Sequence, residues 1–116
     1  MTVAISLTPA QQQVVLDAIA AHLPPATKAW VFGSRANGRA RRYSDLDLMI
    51  DAGRRLTLDE TAILNEAFDE SDLPYKVDVV DWHAIGERFR NLIAVQCVPL
   101  NEAASAEASV VAGNRL

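Results

Sequence analysis

The stretch that decides both the fold and the chemistry of this chain spans residues 33–47 and reads GSRANGRARRYSDLD. It follows an apolar run, Lys28–Phe32, that is typical of a buried strand. It leads into the run DLDLMI at residues 45–50, in which the leucines and the isoleucine share one face of a strand and the two aspartates the other. The stretch therefore predicts two strands joined by a glycine- and arginine-rich connection.

Asp45 and Asp47 form one half of a candidate site. Side chains two residues apart on a strand point the same way, with their Cα atoms about 7 Å apart. Paired carboxylates suit hard divalent cations such as magnesium. An Asp-x-Asp pair on its own is more often a turn or a solvated strand edge, so its weight depends on the residues around it.

Gly33 and Ser34 form the other half. Glycine permits a tight turn with close approach of the backbone, and a serine that opens a helical turn offers its hydroxyl and free amides to an anion. A triphosphate fits between this turn and the two carboxylates. The run also approaches a P-loop, because four residues separate Gly33 from Gly38. Arg39 and Ala40 stand where that motif requires Lys and Ser or Thr, which disfavours this interpretation.

Asp78 is the candidate for a third carboxylate. It lies in an alternating run, residues 75–80, that is typical of a third strand. The polar face of this strand can lie beside that of the second. Two-metal nucleotidyl transfer requires such a cluster, because it neutralises both the attacking and the leaving oxygens.

Helix signals surround the predicted strands. Thr8 and Thr57 each begin a capping box that opens a helix. Asp81 is expected to cap a last helix that continues to about Gln96. The expected apolar stripe of that helix consists of Ile85, Phe89, Leu92 and Ile93.

The predicted fold class is α/β (α+β), with a mixed sheet of three to four strands flanked by helices. Residues 97–100 are the expected short edge strand. A chain of 116 residues, 50% of them hydrophobic, is suited to one compact core. Residues 1–100 are expected to form this domain, and residues 101–116, mostly Ala, Ser, Glu and Asn, a flexible C-terminal tail.

The composition disfavours several classes of protein. The net charge of −4 gives no general attraction to DNA or RNA, so direct nucleic-acid binding is not expected. A single cysteine excludes an intramolecular disulfide and, with two histidines, leaves too few ligands for a structural zinc cluster. A cytoplasmic location is therefore expected. No membrane association is expected either, since no apolar run approaches the roughly 20 residues of a span.

A local positive charge stands out against this acidic background. Four arginines follow Gly33 with no acidic residue among them, and removing them from the net charge of −4 leaves the rest of the chain at −8. Such a run is either a solvated loop or a surface that contacts phosphate or a partner. We favour Arg35 for nucleotide contact because it follows Ser34 directly. The four residues are Arg35, Arg39, Arg41 and Arg42.

The pattern as a whole resembles a known family. Gly33-Ser34, ten intervening residues and Asp45-Leu46-Asp47 are similar to the signature of the DNA polymerase beta nucleotidyltransferase superfamily. Asp78 falls where that superfamily places its third aspartate. The resemblance extends over about residues 8–100, and the small size of the chain resembles the minimal nucleotidyltransferases (MNT) of prokaryotes.

This resemblance implies a polymerase-beta-like fold and a set of residue roles. Asp45 and Asp47 would bind two magnesium ions, and Asp78 would bind one of them while it orients or deprotonates the acceptor. Gly33 and Ser34 would hold the β- and γ-phosphates of the nucleotide. Minimal members are commonly paired with a small all-helical HEPN protein, often a ribonuclease toxin. Some act as antitoxins that transfer AMP from ATP to a tyrosine of that partner.

The leading hypothesis is therefore a magnesium-dependent nucleotidyltransferase that transfers AMP from ATP to a hydroxyl of a protein partner, as the antitoxin of a HEPN toxin. One alternative is a non-catalytic nucleotide-binding antitoxin that neutralises its partner by direct contact. Another is an adenylyltransferase of small molecules such as antibiotics. This last alternative is disfavoured, because a second domain that could wall an acceptor pocket is not expected in a chain of this length.

Overall fold

A computed structural model describes residues 5–101 and residue 104 of the protein. The helices and strands follow one another as α1 Pro9–His22, β1 Lys28–Phe32, α2 Ser34–Asn37, β2 Leu46–Asp51, α3 Leu58–Asp69, β3 Val77–Asp81, a 3₁₀ turn Trp82–Ala84, α4 Glu87–Ala94 and β4 Val98–Pro99.

The four strands form one mixed sheet in the order β3-β2-β1-β4. β1 is antiparallel to both β2 and β4, whereas β2 and β3 are parallel. The parallel pair is joined through α3, because parallel neighbours need a crossover connection. β4 is the short edge strand expected at residues 97–100. The predicted fold class is confirmed.

One face of the sheet forms the main hydrophobic core. Leu46, Leu48 and Ile50 on this face are fully buried, as their alternation predicts. They pack against α1 and α3, on which Val15 and Leu64 are completely enclosed. Full burial of a side chain of this size contributes about 1.5–3 kcal/mol. Burial of the leucine face therefore determines which side of β2 packs on the core, and the aspartates of β2 point away from it.

The opposite face of the sheet carries the aspartates and a second, smaller apolar cluster. Trp30, Met49, Ile93 and Ala104 are buried together in this cluster. Met49 lies two residues after Asp47, on the same face of β2. The cluster therefore lies next to Asp47 along β2.

Both predicted capping boxes are present. Thr8 Oγ1 accepts a hydrogen bond from Gln11 N at 3.1 Å, and Thr57 Oγ1 accepts one from Glu60 N at 3.0 Å. Hydrogen bonds from Arg54 and Thr57 lower the carboxyl pKa of Glu60 to about 2. A cap of this kind contributes about 1 kcal/mol, and the two threonines accordingly mark the starts of α1 and α3.

The start of the last helix differs from the prediction. Asp81 does accept a hydrogen bond from His83 N, at 3.0 Å, but it caps only the 3₁₀ turn. Ile85 and Gly86 are extended, and α4 begins after them. Glycine is a poor helix former because it loses much backbone freedom in a helix. Gly86 therefore marks the break that the sequence argument missed.

The predicted apolar stripe of this helix is also only partly right. Ile93 is buried, but Phe89 and Leu92 are 42% and 57% exposed. Ile93 belongs to the second apolar cluster, whereas Phe89 and Leu92 belong to neither of the two buried clusters. Burial of Phe89 and Leu92 in the core was therefore a wrong prediction.

Asn101 and Ala104, at the start of the predicted tail, take part in the fold. Asn101 Nδ2 donates to Thr27 O at 2.8 Å, and Asn101 Oδ1 accepts from Ala104 N at 3.0 Å. Ala104 is fully buried. The rest of the predicted tail, residues 102–103 and 105–116, lies outside the described residues. In the described part of the chain, none of the helices is long and apolar enough to cross a membrane.

Candidate catalytic site

Asp47 and Asp78 lie side by side on neighbouring strands. Asp47 is the second residue of β2 and is paired in parallel register with Asp78, the second residue of β3. Paired residues of parallel strands point to the same face, and adjacent strands are about 4.8 Å apart. Asp78 therefore lies on the same side of the sheet as Asp47.

Asp45 lies one residue before β2, and its side chain is exposed. It acts on Asp47 through its charge. The carboxyl pKa of Asp47 is raised above its ordinary value, first by partial burial and then by the negative charges of Asp78 and Asp45. Asp78 and Asp45 are therefore each close enough to Asp47 for their charges to act on it, at the same end of β2 and β3.

The chemistry of this donor set fits a hard cation. Carboxylate oxygens are the ligands that magnesium prefers, and a cation would relieve the repulsion at Asp47. Within residues 5–101 and 104, no three acidic, histidine or cysteine side chains are already gathered as ligands of one ion. A shared cation therefore requires the carboxylates to turn towards one another. The metal roles of Asp45, Asp47 and Asp78 stay a prediction.

Gly33 lies against the carboxylate of Asp47. Phe32, the last residue of β1, is paired with Asp47, so the chain leaves the sheet at the level of that side chain. Gly33 has φ +71° and ψ −151°, a conformation that is essentially restricted to glycine. A Cβ at this position would overlap Asp47 Oδ2. The backbone conformation therefore requires glycine, and the end of the Asp47 side chain occupies the space that a Cβ would take, a contact that phosphate approach does not explain.

Ser34 is the first residue of α2 and is half-buried. The helix has four residues and ends at Gly38, whose φ of +80° forms a left-handed cap. The hydroxyl of Ser34 makes no hydrogen bond within the described part of the chain. No described residue therefore competes with a ligand for this hydroxyl, and its role as a phosphate-binding residue stays a prediction, as does that of Gly33.

Arg35 requires a correction. Its side chain is only 4% exposed, and its guanidinium donates to the main-chain carbonyls of Ser6 and Ser44 at 2.8 Å each. A guanidinium that is enclosed and directed at carbonyl oxygens is not placed to bind the phosphates of a nucleotide. Phosphate contact by Arg35 was favoured because of its neighbour Ser34, and sequence adjacency does not show which way a side chain points.

The other three arginines of the connection form a positive surface, here called the arginine rim, which consists of Arg39, Arg41 and Arg42. All three are exposed, and none forms an ion pair with a described acidic residue. Arg42 lies over the ring of Tyr43 at 5.2 Å, and that ring is itself 63% exposed. Two residues, Tyr43 and Ser44, separate the rim from Asp45 in the chain.

His83 and two further aspartates lie at the opposite end of the strands. His83 Nε2 is 2.7 Å from Asp51 Oδ1, and Asp81 Oδ2 accepts a hydrogen bond from Leu56 N at 2.8 Å. Asp51 and Asp81 end β2 and β3, whereas Asp47 and Asp78 lie near their starts. The structure therefore does not bring His83 to the candidate site.

Comparison with known proteins agrees with this arrangement. A family model described as polymerase beta, nucleotidyltransferase matches residues 16–102. The chain is 40% identical over 92 residues to the probable protein adenylyltransferase MntA of Haemophilus influenzae, and this match covers 79% of the chain and 81% of the relative.

Solved structures extend the comparison to the fold. A minimal nucleotidyltransferase with 34% identity superposes with a TM-score of 0.61, covering 78% of this chain and 89% of the other. A toxin–antitoxin complex with AMP-PNP has 20% identity and a TM-score of 0.67 over 90% of this chain and 89% of the other. A tri-AMPylated HEPN toxin of Shewanella oneidensis in complex with MNT antitoxin has 21% identity and a TM-score of 0.54, and the match covers 90% of this chain and 89% of the other. The last two likenesses concern the fold alone.

Proposed function

Because the chain belongs to the polymerase beta nucleotidyltransferase family, we propose that it transfers AMP from ATP to a hydroxyl group of a protein partner, as the antitoxin of a HEPN toxin. The observation that carries this proposal is the pairing of Asp47 with Asp78 on one face of the sheet, with Gly33 held against the same carboxylate. The likeness to MntA supports the protein acceptor, and the likeness to HEPN–MNT complexes supports the class of partner. A cytoplasmic location forms part of the same proposal.

ATP is expected to lie between the turn at Ser34 and the carboxylates. Gly33 and Ser34 would contact its β- and γ-phosphates through the backbone and the Ser34 hydroxyl. Asp45, Asp47 and Asp78 would hold two magnesium ions. Magnesium, when bound, would neutralise the phosphate charge and stabilise the attacking and leaving oxygens.

Asp78 is the residue that faces the acceptor in this proposal. Its side chain is exposed, so a hydroxyl of a partner can reach it. The acceptor oxygen forms a bond to the α-phosphorus, and the bond from that phosphorus to the bridging oxygen of the β-phosphate breaks. Pyrophosphate leaves, and Asp78 takes the proton of the hydroxyl. General-base assistance of this kind typically contributes a factor of about 10²–10⁴ in rate.

An open site makes a protein acceptor more suitable than a small one. Asp45 and Asp78 are both exposed, so the described residues alone do not enclose a small acceptor. A groove of about 830 Å³ lies beside α1 and is lined by residues such as Leu16, Leu23 and Leu100, but by none of the carboxylates. Positioning of reactants can lower a barrier by about 7–11 kcal/mol. Here the docked partner would supply most of that positioning.

Label transfer distinguishes the proposed enzyme from the alternative, an antitoxin that acts by binding alone. Transfer of label from α-phosphate-labelled ATP to a copurified partner, with loss of transfer in Asp45→Asn, supports the enzyme. An intact complex without transfer supports the alternative.

Ser34→Ala is expected to weaken the binding of MgATP about three- to tenfold, since one hydrogen bond contributes about 1 kcal/mol. Ser34→Thr keeps the hydroxyl and should bind within about threefold of the wild type. Isothermal titration calorimetry measures both affinities. Equal affinity of Ser34→Ala and the wild type would count against a phosphate contact at this turn.

Charge reversal in the arginine rim, by Arg41→Glu with Arg42→Glu, is expected to slow association with the partner about tenfold at low salt, because exposed charges steer encounter. Stability should change by less than about 0.5 kcal/mol for each exposed side chain. Stopped-flow association and urea unfolding measure the two quantities. The control pair Arg55→Glu with Arg88→Glu makes the same change of charge elsewhere on the surface. If association slows equally in the control, the arginine rim has no specific role in docking.

A further inference from the structure

Arg35 is a buried cation that lies between the separate segments of the candidate site. It belongs to α2, which follows the Gly33-Ser34 turn. Its relative exposure is 4%. Enclosing a charged group is unfavourable unless hydrogen bonds replace the lost water, so the partners of this guanidinium indicate what it does.

The first set of partners lies in the chain directly before Asp45. Arg35 Nε and Nη2 both donate to Ser44 O, at 3.1 and 2.8 Å. Nη2 also lies 3.2 Å from Arg42 O and 3.4 Å from Arg41 O. Because Ser44 is bonded to Asp45, the guanidinium holds the peptide that leads into the first carboxylate.

The second set of partners comes from the other side of the guanidinium. Nη1 donates to Ser6 O at 2.8 Å, and Ser6 N donates back to Arg35 O at 2.8 Å. The guanidinium carbon lies 3.8 Å from the centre of the Tyr75 ring, which is buried. Tyr75 lies three residues before Asp78. The same cation therefore also contacts the segment that leads into β3.

The acceptors of Arg35 are carbonyl oxygens and an aromatic face, and it forms no ion pair with a described acidic residue. The kind of acceptor is important near a cation site, because an arginine paired with Asp45 or Asp47 would compete with metal for the carboxylate. A planar guanidinium can donate hydrogen bonds to several carbonyls while it stacks on an aromatic ring, whereas a lysine ammonium cannot do both.

We propose that Arg35 is a positioning residue for nucleotidyl transfer. It ties the turn at Ser34, the chain before Asp45 and the chain before Asp78 into one arrangement, and it takes none of the three carboxylates as a partner. This inference rests on the proposed function for its effect on the reaction, but not for its effect on the structure. Removal of a partner that orients a metal ligand typically lowers metal affinity or activity about 10- to 100-fold.

The test compares Arg35→Lys with Arg55→Lys, an exposed arginine outside the site. In Arg35→Lys, amide hydrogen exchange at Ser44 and Leu46 should be about tenfold faster or more, whereas exchange at Val31 in the centre of β1 stays unchanged. The magnesium concentration for half-maximal transfer should rise about tenfold, with the KM for the partner within about twofold of the wild type. Arg55→Lys should change none of these quantities.

A purely structural role gives a different result. Loss of folded protein would accelerate exchange at Val31 as well and lower kcat without moving the magnesium midpoint, and this pattern would overturn the proposal. If Arg35→Lys does not fold, a measurement on the wild-type protein tests the proposal instead. Its Arg35 Nε–H should exchange with water at least about tenfold more slowly than that of Arg55, and equal rates would overturn the proposal.

Failure of the proposed function is distinguishable from failure of this inference. Absence of transfer in the wild type, with slow exchange at Arg35 Nε–H and local opening in Arg35→Lys, would refute the reaction and leave the structural link between the three segments. Transfer by the wild type with an unchanged magnesium midpoint in Arg35→Lys would refute the positioning role alone.

Discussion

Asp47→Asn is expected to abolish adenylyl transfer and, in the same protein, to raise the melting temperature measured without metal. The carboxylate is the one whose pKa is raised by burial and by its neighbours Asp78 and Asp45. Removing its charge removes that repulsion, but it also removes a proposed metal ligand. The rate should fall by more than about a hundredfold, the upper end of what loss of an outer-shell partner produces.

The pKa of Asp47 also determines the sign of its pH dependence. Its ordinary value is 3.8, and the folded-state pKa is higher. Its contribution to stability is therefore fully present below pH 3.8 and is lost as the pH rises through the higher folded-state value. At neutral pH the ionised carboxylate is unfavourable. Since the side chain is partly solvated, screening limits the gain in Asp47→Asn to a melting-temperature rise of about 2–5 °C.

Calorimetry in EDTA and in magnesium measures the stability of Asp47→Asn. Magnesium should raise the melting temperature of the wild type and have a smaller effect on this variant. Asp72→Asn, at an exposed carboxylate outside the site, is the control and should keep both the activity and the magnesium effect. Full transfer by Asp47→Asn, or a lower melting temperature in EDTA, would contradict the assigned role.

Gly33→Ala is expected to destabilise the protein by about 2–4 kcal/mol, because two unfavourable effects combine. The backbone at this position is essentially restricted to glycine, and the new Cβ would overlap Asp47 Oδ2. Gly38→Ala is the comparison at a left-handed glycine, where φ is also positive but nothing lies within 4 Å of its Cβ. That change should cost only about 1–2 kcal/mol.

A double-mutant cycle isolates the contact between Gly33 and Asp47. With Asp47→Ala in the background, Gly33→Ala should cost about 1 kcal/mol less, because the overlapping oxygen is gone. Urea unfolding measures all the variants. A Gly33→Ala variant that is no less stable than Gly38→Ala, with a cycle that shows no coupling, would mean that the glycine does not support the carboxylate.

Alternation and capping made much of this fold predictable. Leu46, Leu48 and Ile50 alternate with the aspartates. Because the apolar face is buried, the face that carries the aspartates must point away from the core. Thr8 and Thr57 mark helix starts through contacts within one turn. These signals are local in the chain, and local contacts are the ones that a sequence displays directly.

The contacts that the sequence did not reveal join distant residues. Arg35 bonds to Ser6 and stacks on Tyr75, 29 residues before it and 40 residues after it in the chain. Gly33 meets Asp47 only because β1 and β2 pair in a particular register. Spacing can suggest that such residues share a site, but the direction of each side chain depends on packing. The arginine nearest to the serine was therefore assigned to phosphate, although it is enclosed behind the turn.

The most direct test of the central claim is label transfer in the copurified complex of this chain and its partner. The complex is incubated with α-phosphate-labelled ATP and magnesium, and the label on the partner is measured for the wild type, Asp45→Asn and the surface control Glu66→Gln. We expect label on the partner with the wild type and the control, and none with Asp45→Asn in a complex that remains intact. An unlabelled partner with the wild type, or equal labelling with Asp45→Asn, would contradict the central claim.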